Sequence, residues 1–178
     1  YLKYDPQNPE WVGRDRFFLD PGHMAPMLYS QLTLIGKFTL DELAQLRQWG
    51  SPTTGHPEFE IARGIENTSG PLGQGHVFAV GAAIAAKFLA AHTGNPTFDK
   101  ETIYAYISDG GIQEEISQGA ARIASVLGLD NLIMFYDCND IQLSTETKEV
   151  MNEDTAAKYR ALGWEVFEIN GNDVDQIR

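Results

Sequence analysis

Ile103-Tyr104-Ala105-Tyr106-Ile107-Ser108-Asp109-Gly110-Gly111, with Leu132-Ile133-Met134-Phe135-Tyr136-Asp137-Cys138-Asn139-Asp140-Ile141 further on, is the stretch that decides the fold. Ile103 to Ile107 is a short apolar run rich in β-branched and aromatic residues, closed by a carboxylate and two glycines, so it reads as a buried strand and a tight turn. Ile112, Ile116, Ala120, Ile123 and Leu127 then recur at helical spacing, with Gly128 where a left-handed C-cap belongs. Leu132 to Tyr136 is again continuously apolar. The unit is therefore β-α-β with parallel strands and a right-handed crossover. Asp109 and Asn139 fall at the same carboxyl-terminal edge of one sheet, where open α/β sheets bind ligands.

Two oxygen-bearing side chains at that edge could share a hard cation, since Mg²⁺ takes one or two protein oxygens together with phosphate and water. An Asp at a strand end and an Asn in a turn are equally ordinary punctuation. Spacing alone leaves both readings open.

Outside this unit the order is alternating helix and strand, which makes a doubly wound α/β domain with a mostly parallel sheet flanked by helices. Tyr1 to Leu19 has Pro6, Pro9 and no clear period and reads as an extended lead-in, with a turn at Leu19 to His23. Pro26 opens a helix through Ile35. Thr39 with Glu42 forms a capping box for a second helix reaching Trp49. Ser51 to Glu58 is an irregular loop exposing His56 and Glu58. Asn67 to Gly75 is a glycine-rich loop that opens onto an Ala-rich core helix over Val77 to Ala91. Its glycines permit close approach of a ligand, and the helix start offers unpaired N–H groups to an anion or a polar ring. Asn95 to Lys100 and Ser144 to Thr147 read as surface loops. A helix from Asn152 to Leu162, a strand from Trp164 to Ile169 and a capped helix start at Asp173 complete the pattern.

The chain has 178 residues, 43% of them apolar, enough for one globular domain. The lack of a starting Met and the helix just beginning at the end suggest one incomplete domain. No apolar run is expected to span a bilayer, and no signal peptide is evident. The single Cys138 excludes an internal disulfide framework and a multi-cysteine zinc site, consistent with a reducing cytoplasm. A formal net charge of −12 argues against nucleic acid or an anionic membrane as a partner. It also means that a phosphate ligand would need a metal and main-chain N–H groups.

Taken together, the loops resemble those of the transketolase family. The segments are Arg14-Asp15-Arg16-Phe17 with Gly22-His23, Gly55-His56-Pro57-Glu58, Ser69-Gly70-Pro71-Leu72-Gly73-Gln74-Gly75, Asp109-Gly110 with Gln113-Glu114, Asp137-Cys138-Asn139-Asp140-Ile141 and Ala161-Leu162-Gly163-Trp164. They stand in family order over nearly the whole chain, and they are similar to the diphosphate-binding domain, which holds thiamine diphosphate.

The resemblance implies that Asp109, Asn139 and the main-chain carbonyl of Ile141 hold Mg²⁺ or Ca²⁺. It implies that His23 and Gly110 meet the diphosphate end and that Gly70, Pro71 and Leu72 line the ring region. His56 would hydrogen-bond the donor ketose, a role suited to a side chain that titrates near neutral pH. Glu114 would belong to an acidic network at a dimer interface, although a first-turn carboxylate also suits a helix N-terminus. The implied reaction moves a two-carbon ketol unit from a ketose phosphate to an aldose phosphate. A homodimer, or a complex with a complementary pyrimidine-domain chain, would be required. Another ketose-handling thiamine diphosphate enzyme and a non-catalytic metal-binding or dimerisation module are the alternatives. Ser108, Gly111, Glu115, Cys138 and His76 depart from the commonest family pattern, and the first four remain compatible with the site. The family's upstream substrate-facing segment and its pyrimidine-binding domain lie outside these residues.

Overall fold

A computed structural model describes residues Tyr1–Arg178. Three strands, β1 (Arg16–Leu19), β2 (Ile103–Ser108) and β3 (Leu132–Asp137), form a parallel sheet in the order β1-β2-β3. Leu19 pairs with Tyr106, and Ser108 with Asp137. The chain therefore leaves the sheet at Asp20, Asp109 and Cys138 along a single edge.

Side-chain alternation sorts each strand between two faces. Phe18, Ile103, Ala105 and Leu132 pack with Ala79, Val80 and Ala83 of α3 (Gln74–Thr93) and with Ala120 and Ala124 of α6 (Glu115–Val126). Alanines at this contact let the two helices approach the sheet and each other closely. On the opposite face Leu19 packs with Ala25, Leu28, Tyr29 and Leu32 of α1 (Ala25–Leu34). Helices on both faces of a parallel sheet give the doubly wound architecture expected.

Several boundaries differ from expectation. The lead-in contains β1, a four-residue strand that exists because β2 offers it a ladder. The Thr39–Glu42 capping box is present, but α2 is only Leu40–Ala44, and none of its residues is buried. Without a buried face, propensity alone does not sustain a long helix. The helix after Asp109 is two pieces, α5 (Asp109–Gln113) and α6, because Glu114 takes an extended conformation between them. Asn95 caps a short α4 (Pro96–Asp99), where a loop was expected. Similarly, β4 (Ile141–Gln142) and β5 (Thr145–Glu146) form a small antiparallel hairpin, whose second strand takes up part of the loop expected at Ser144 to Thr147. The next helix, α7, begins three residues late (Thr155–Leu162), where Asp154 accepts from the Ala157 amide. Trp164 to Ile169 forms no strand: Trp164 and Val166 pack inward at period two, but the segment has no ladder partner. The final helix, α8 (Val174–Ile177), is capped by Asp173 as its sequence suggests.

The Ala-rich helix is longer than expected. At 20 residues α3 is long and apolar enough to cross a membrane by length and composition alone, which overturns the expectation that no segment would be. Its burial of Ala79, Val80, Ala83 and Ala86 against the sheet and α6 is the behaviour of a core helix.

His76, on the buried face of α3, is wholly enclosed. Its Nδ1 lies 2.7 Å from Ser117 Oγ on α6, Trp164 stands edge-on at 6.2 Å, and Nε2 has no protein partner. Burial holds the imidazole down to about 4, so the folded protein keeps it neutral while the unfolded chain protonates it near 6.5. Because the folded value is depressed, the stability is intact above about pH 6.5 and is lost as pH falls towards 4. About 3 kcal/mol should disappear across that window in urea unfolding, and His76→Leu should flatten the slope even if it lowers stability at pH 7.

Candidate functional site

Loop Asn67–Gly75 is stitched to the end of β1. The Asn67 side chain accepts from the Leu19 amide at 3.1 Å and donates to the Leu19 carbonyl at 3.0 Å, so it stands in for a neighbouring strand. Ser69 Oγ donates to the same carbonyl at 2.8 Å, and the Ser69 amide donates to Pro57 at 2.9 Å, which draws in the His56 loop.

Asp20 carries the loop further. Its carboxylate is 1% exposed and accepts the amides of Gly73 at 3.0 Å and Gly75 at 2.8 Å. Burial raises its pKa, opposed by hydrogen bonds from the Gly73, Gly75 and His76 amides. These are the first free N–H groups of α3. Of the two ligands expected at this helix start, an anion or a polar ring, the anion position is filled by the chain's own carboxylate.

Glycines make the remaining contacts possible. A Cβ on Gly22 would lie 2.6 Å from His56 Cγ, and one on Gly70 would lie 2.6 Å from His56 Nδ1. His56 therefore packs across the loops that carry Gly22-His23 and Gly70, while remaining exposed. A Cβ on Gly110 would stand 3.0 Å from Leu72 Cδ1, so those two residues face each other. Gly73 closes on Glu114, whose Cβ would be 2.7 Å away. Gly111 has no room for any side chain, since its Cβ would fall 2.2 Å from Asp20 Oδ2 and 2.7 Å from Ile107.

At the third strand end the Tyr136 hydroxyl donates to Asp109 Oδ1, and the Asn139 amide donates to Asp109 Oδ2 at 3.3 Å. The Ile141 amide donates to Asn139 Oδ1 at 3.1 Å, and Asn139 Nδ2 donates to Asp137 at 3.3 Å. Burial, followed by the Asp109 carboxylate, pushes the Tyr136 hydroxyl far above its usual value, so it stays a donor. Asp109 is 1% exposed, and no Lys, Arg or His forms an ion pair with it. No cluster of three or more His, Cys, Asp or Glu side chains exists to cage a metal. The oxygen set is one carboxylate, one amide and a turn of main chain. That set fits a hard cation completed by phosphate and water, and does not fit a closed protein cage.

The residues that the resemblance assigns to a site follow this edge, in three groups. His56, Gly70, Pro71 and His23 form one; Leu72, Gly110 and Glu114 bridge the middle; Asp109, Asn139 and Ile141 form the last. His23, Pro71, Asn139 and Ile141 are exposed. Asp20 and Tyr136 are additions that sequence reading passed over. Asp20 looked like a turn residue before Pro21-Gly22, and Tyr136 like one more apolar strand position; a carboxylate at the end of β1, matching Asp109 at the end of β2, was the available signal.

Residues 1–178 match the family described as the transketolase, thiamine diphosphate binding domain. The transketolase of Staphylococcus epidermidis strain RP62A is 44% identical over 99% of this chain and 27% of its own length. That of Mycobacterium leprae is 46% identical over 97% of this chain and 26% of its own. Among solved structures, the Campylobacter jejuni transketolase is 40% identical with a TM-score of 0.90, covering 99% of this chain and 28% of that one. The Leishmania mexicana transketolase is 38% identical with a TM-score of 0.89, covering 99% and 27%. The chain therefore spans about a quarter of the length of these relatives.

Gly70 has φ +123°, and an added methyl would collide with His56. Gly70→Ala should lower folding stability by about 1–3 kcal/mol and displace the imidazole. Thermal unfolding and the His56 ring resonances report the two effects separately.

Proposed function

The chain belongs to the transketolase thiamine diphosphate binding domain family, and from that premise we propose that it supplies the diphosphate and metal half of a transketolase site. The observation that carries this reading is Asp109, a buried carboxylate at a strand end with only a hydroxyl and an amide on its oxygens. Burying that charge without a counter-ion is costly, and a divalent cation would offset it. Asp109, Asn139 Oδ1 and the carbonyl of Ile141 would hold Mg²⁺ or Ca²⁺. Such a cation would offset the charge of a diphosphate brought to a chain of net charge −12.

Gly110 and His23 serve the diphosphate end, and Gly70, Pro71 and Leu72 the rings. Bound there, thiamine diphosphate supplies the electron sink for cleaving and forming a carbon–carbon bond beside a ketone. The protein's part is to orient and to handle protons. His56, exposed and packed against Gly70, would hydrogen-bond a donor sugar and move a proton at an imidazole nitrogen. Ketose and aldose phosphates are the proposed substrates, and a two-carbon ketol unit is the group transferred.

A second subunit or a pyrimidine-binding domain is needed to close the site. Large apolar side chains left in solvent support such a partner, among them Phe78 and Phe88 on α3 and Ile123 and Val126 on α6. Glu114, exposed beside Gly73, would face that partner. A reducing cytoplasm suits the exposed free thiol of Cys138 next to Asn139.

Calorimetry on the chain combined with a family pyrimidine-binding domain should show Mg²⁺-dependent binding of thiamine diphosphate, weakened at least about tenfold by Asp109→Ala. Binding that is indifferent to Mg²⁺ and to Asp109 would remove the metal assignment. The chain by itself should show no ketol transfer, and measurable turnover would contradict the division of the site proposed here.

A further inference from the structure

We propose that Asp20 is a positioning residue that sets the separation between the ring-binding loop and the diphosphate turn; this rests on the site reading above. Its amide donates to the Tyr106 carbonyl at 3.0 Å, extending the β1–β2 ladder by one residue, so its backbone is fixed by the sheet. Its carbonyl accepts the Gly70 amide at 3.5 Å, and its two carboxylate oxygens accept Gly73 and Gly75. One residue thus clasps the loop at three points, on both sides of Pro71-Leu72. The Cα of Asp20 is also so near Gly75 that a Cβ there would lie 2.6 Å from it.

The same carboxylate bears on the other loop. Oδ2, the oxygen that holds Gly73, occupies the space a side chain at Gly111 would need. Gly111 directly follows Gly110, which faces Leu72 across the site. Asp20 is therefore a spacer wedged between the two cofactor loops, and the glycine at 111, a departure from the commonest family pattern, is the counterpart of a carboxylate at 20. Charge-assisted acceptance of two amides is stronger than a neutral side chain could supply. Asparagine keeps the shape but offers one acceptor and turns its NH₂ towards the other amide donor.

The hydrogen bonds of the Asp20 carboxylate reach only the ring loop, while its contact with Gly111 is steric and is kept by asparagine, so loss of the charge acts on the ring loop. In Asp20→Asn, examined in the full chain with a pyrimidine-binding domain, affinity for thiamine diphosphate with Mg²⁺ should fall at least about tenfold. Affinity for inorganic pyrophosphate with Mg²⁺, which needs only the Asp109–Gly110 end, should stay within about twofold of the unaltered chain, because no contact to that ligand is removed. Equal loss of both ligands, or of neither, would overturn the proposal.

Amide hydrogen exchange gives a ligand-free readout. In the unaltered chain Gly73 and Gly75 should exchange more slowly than Leu72, whose amide has no hydrogen-bond partner in the chain. Asp20→Asn should speed these two glycines while leaving the interior of α3 unchanged. Unprotected glycines in the unaltered chain, or acceleration spread through α3 and the sheet, would sink the assignment even if the variant bound no ligand. If the unaltered chain binds neither pyrophosphate nor thiamine diphosphate, the site reading fails, and the exchange pattern alone then decides whether Asp20 is the clasp.

Discussion

Parallel pairing of β1, β2 and β3 is the constraint on which everything else depends. Because Leu19 is opposite Tyr106 and Ser108 opposite Asp137, all three chains leave the sheet level with one another. Three carboxylate-bearing turns are thereby brought to one edge, although Asp20 and Asp109 are far apart in sequence. A slip of one residue would exchange the residues facing α1 and α3 and expose the buried set of Phe18, Ile103, Ala105 and Leu132. The hydrophobic pattern that builds the core therefore also sets the placement of the site.

The turns are then drawn together by absences of side chain. Gly22, Gly70, Gly73 and Gly111 each lie where a Cβ would meet His56, Glu114 or Asp20 closer than atoms normally approach. Gly22 and Gly111 are required by neighbours across the site alone, whereas Gly70 and Gly73 are required both by those neighbours and by their positive φ. Gly36 and Gly50, by contrast, have open space around them and positive φ, and serve their turns alone.

Legibility in the sequence follows how local each determinant is. The β-α-β unit, the Thr39–Glu42 capping box and the helix start at Pro26 could be read because each rests on residues a few positions apart. The strand β1 and the loss of a strand at Trp164 to Ile169 could not. Both turn on whether a ladder partner is present, which is a property of the assembled sheet. The length of α3 was likewise hidden: its early start depends on the Asp20 carboxylate meeting the Gly75 amide. The roles proposed for His56 and Ile141 come from the resemblance alone, since no spacing points to them.

The sequence by itself determined the class of fold, the edge of the sheet proposed to bind ligands and the residues that stand there, because apolar periodicity and strand-end carboxylates are written locally. Only the tertiary structure decided which of those groups remain free for a ligand. It assigned the start of α3 to Asp20, buried Asp109 with no Lys, Arg or His paired to it, and enclosed His76 against Ser117. Hydrogen-bond partners and exclusion from water are set by contacts between segments distant in the chain, and those contacts exist only once the sheet has brought the segments together.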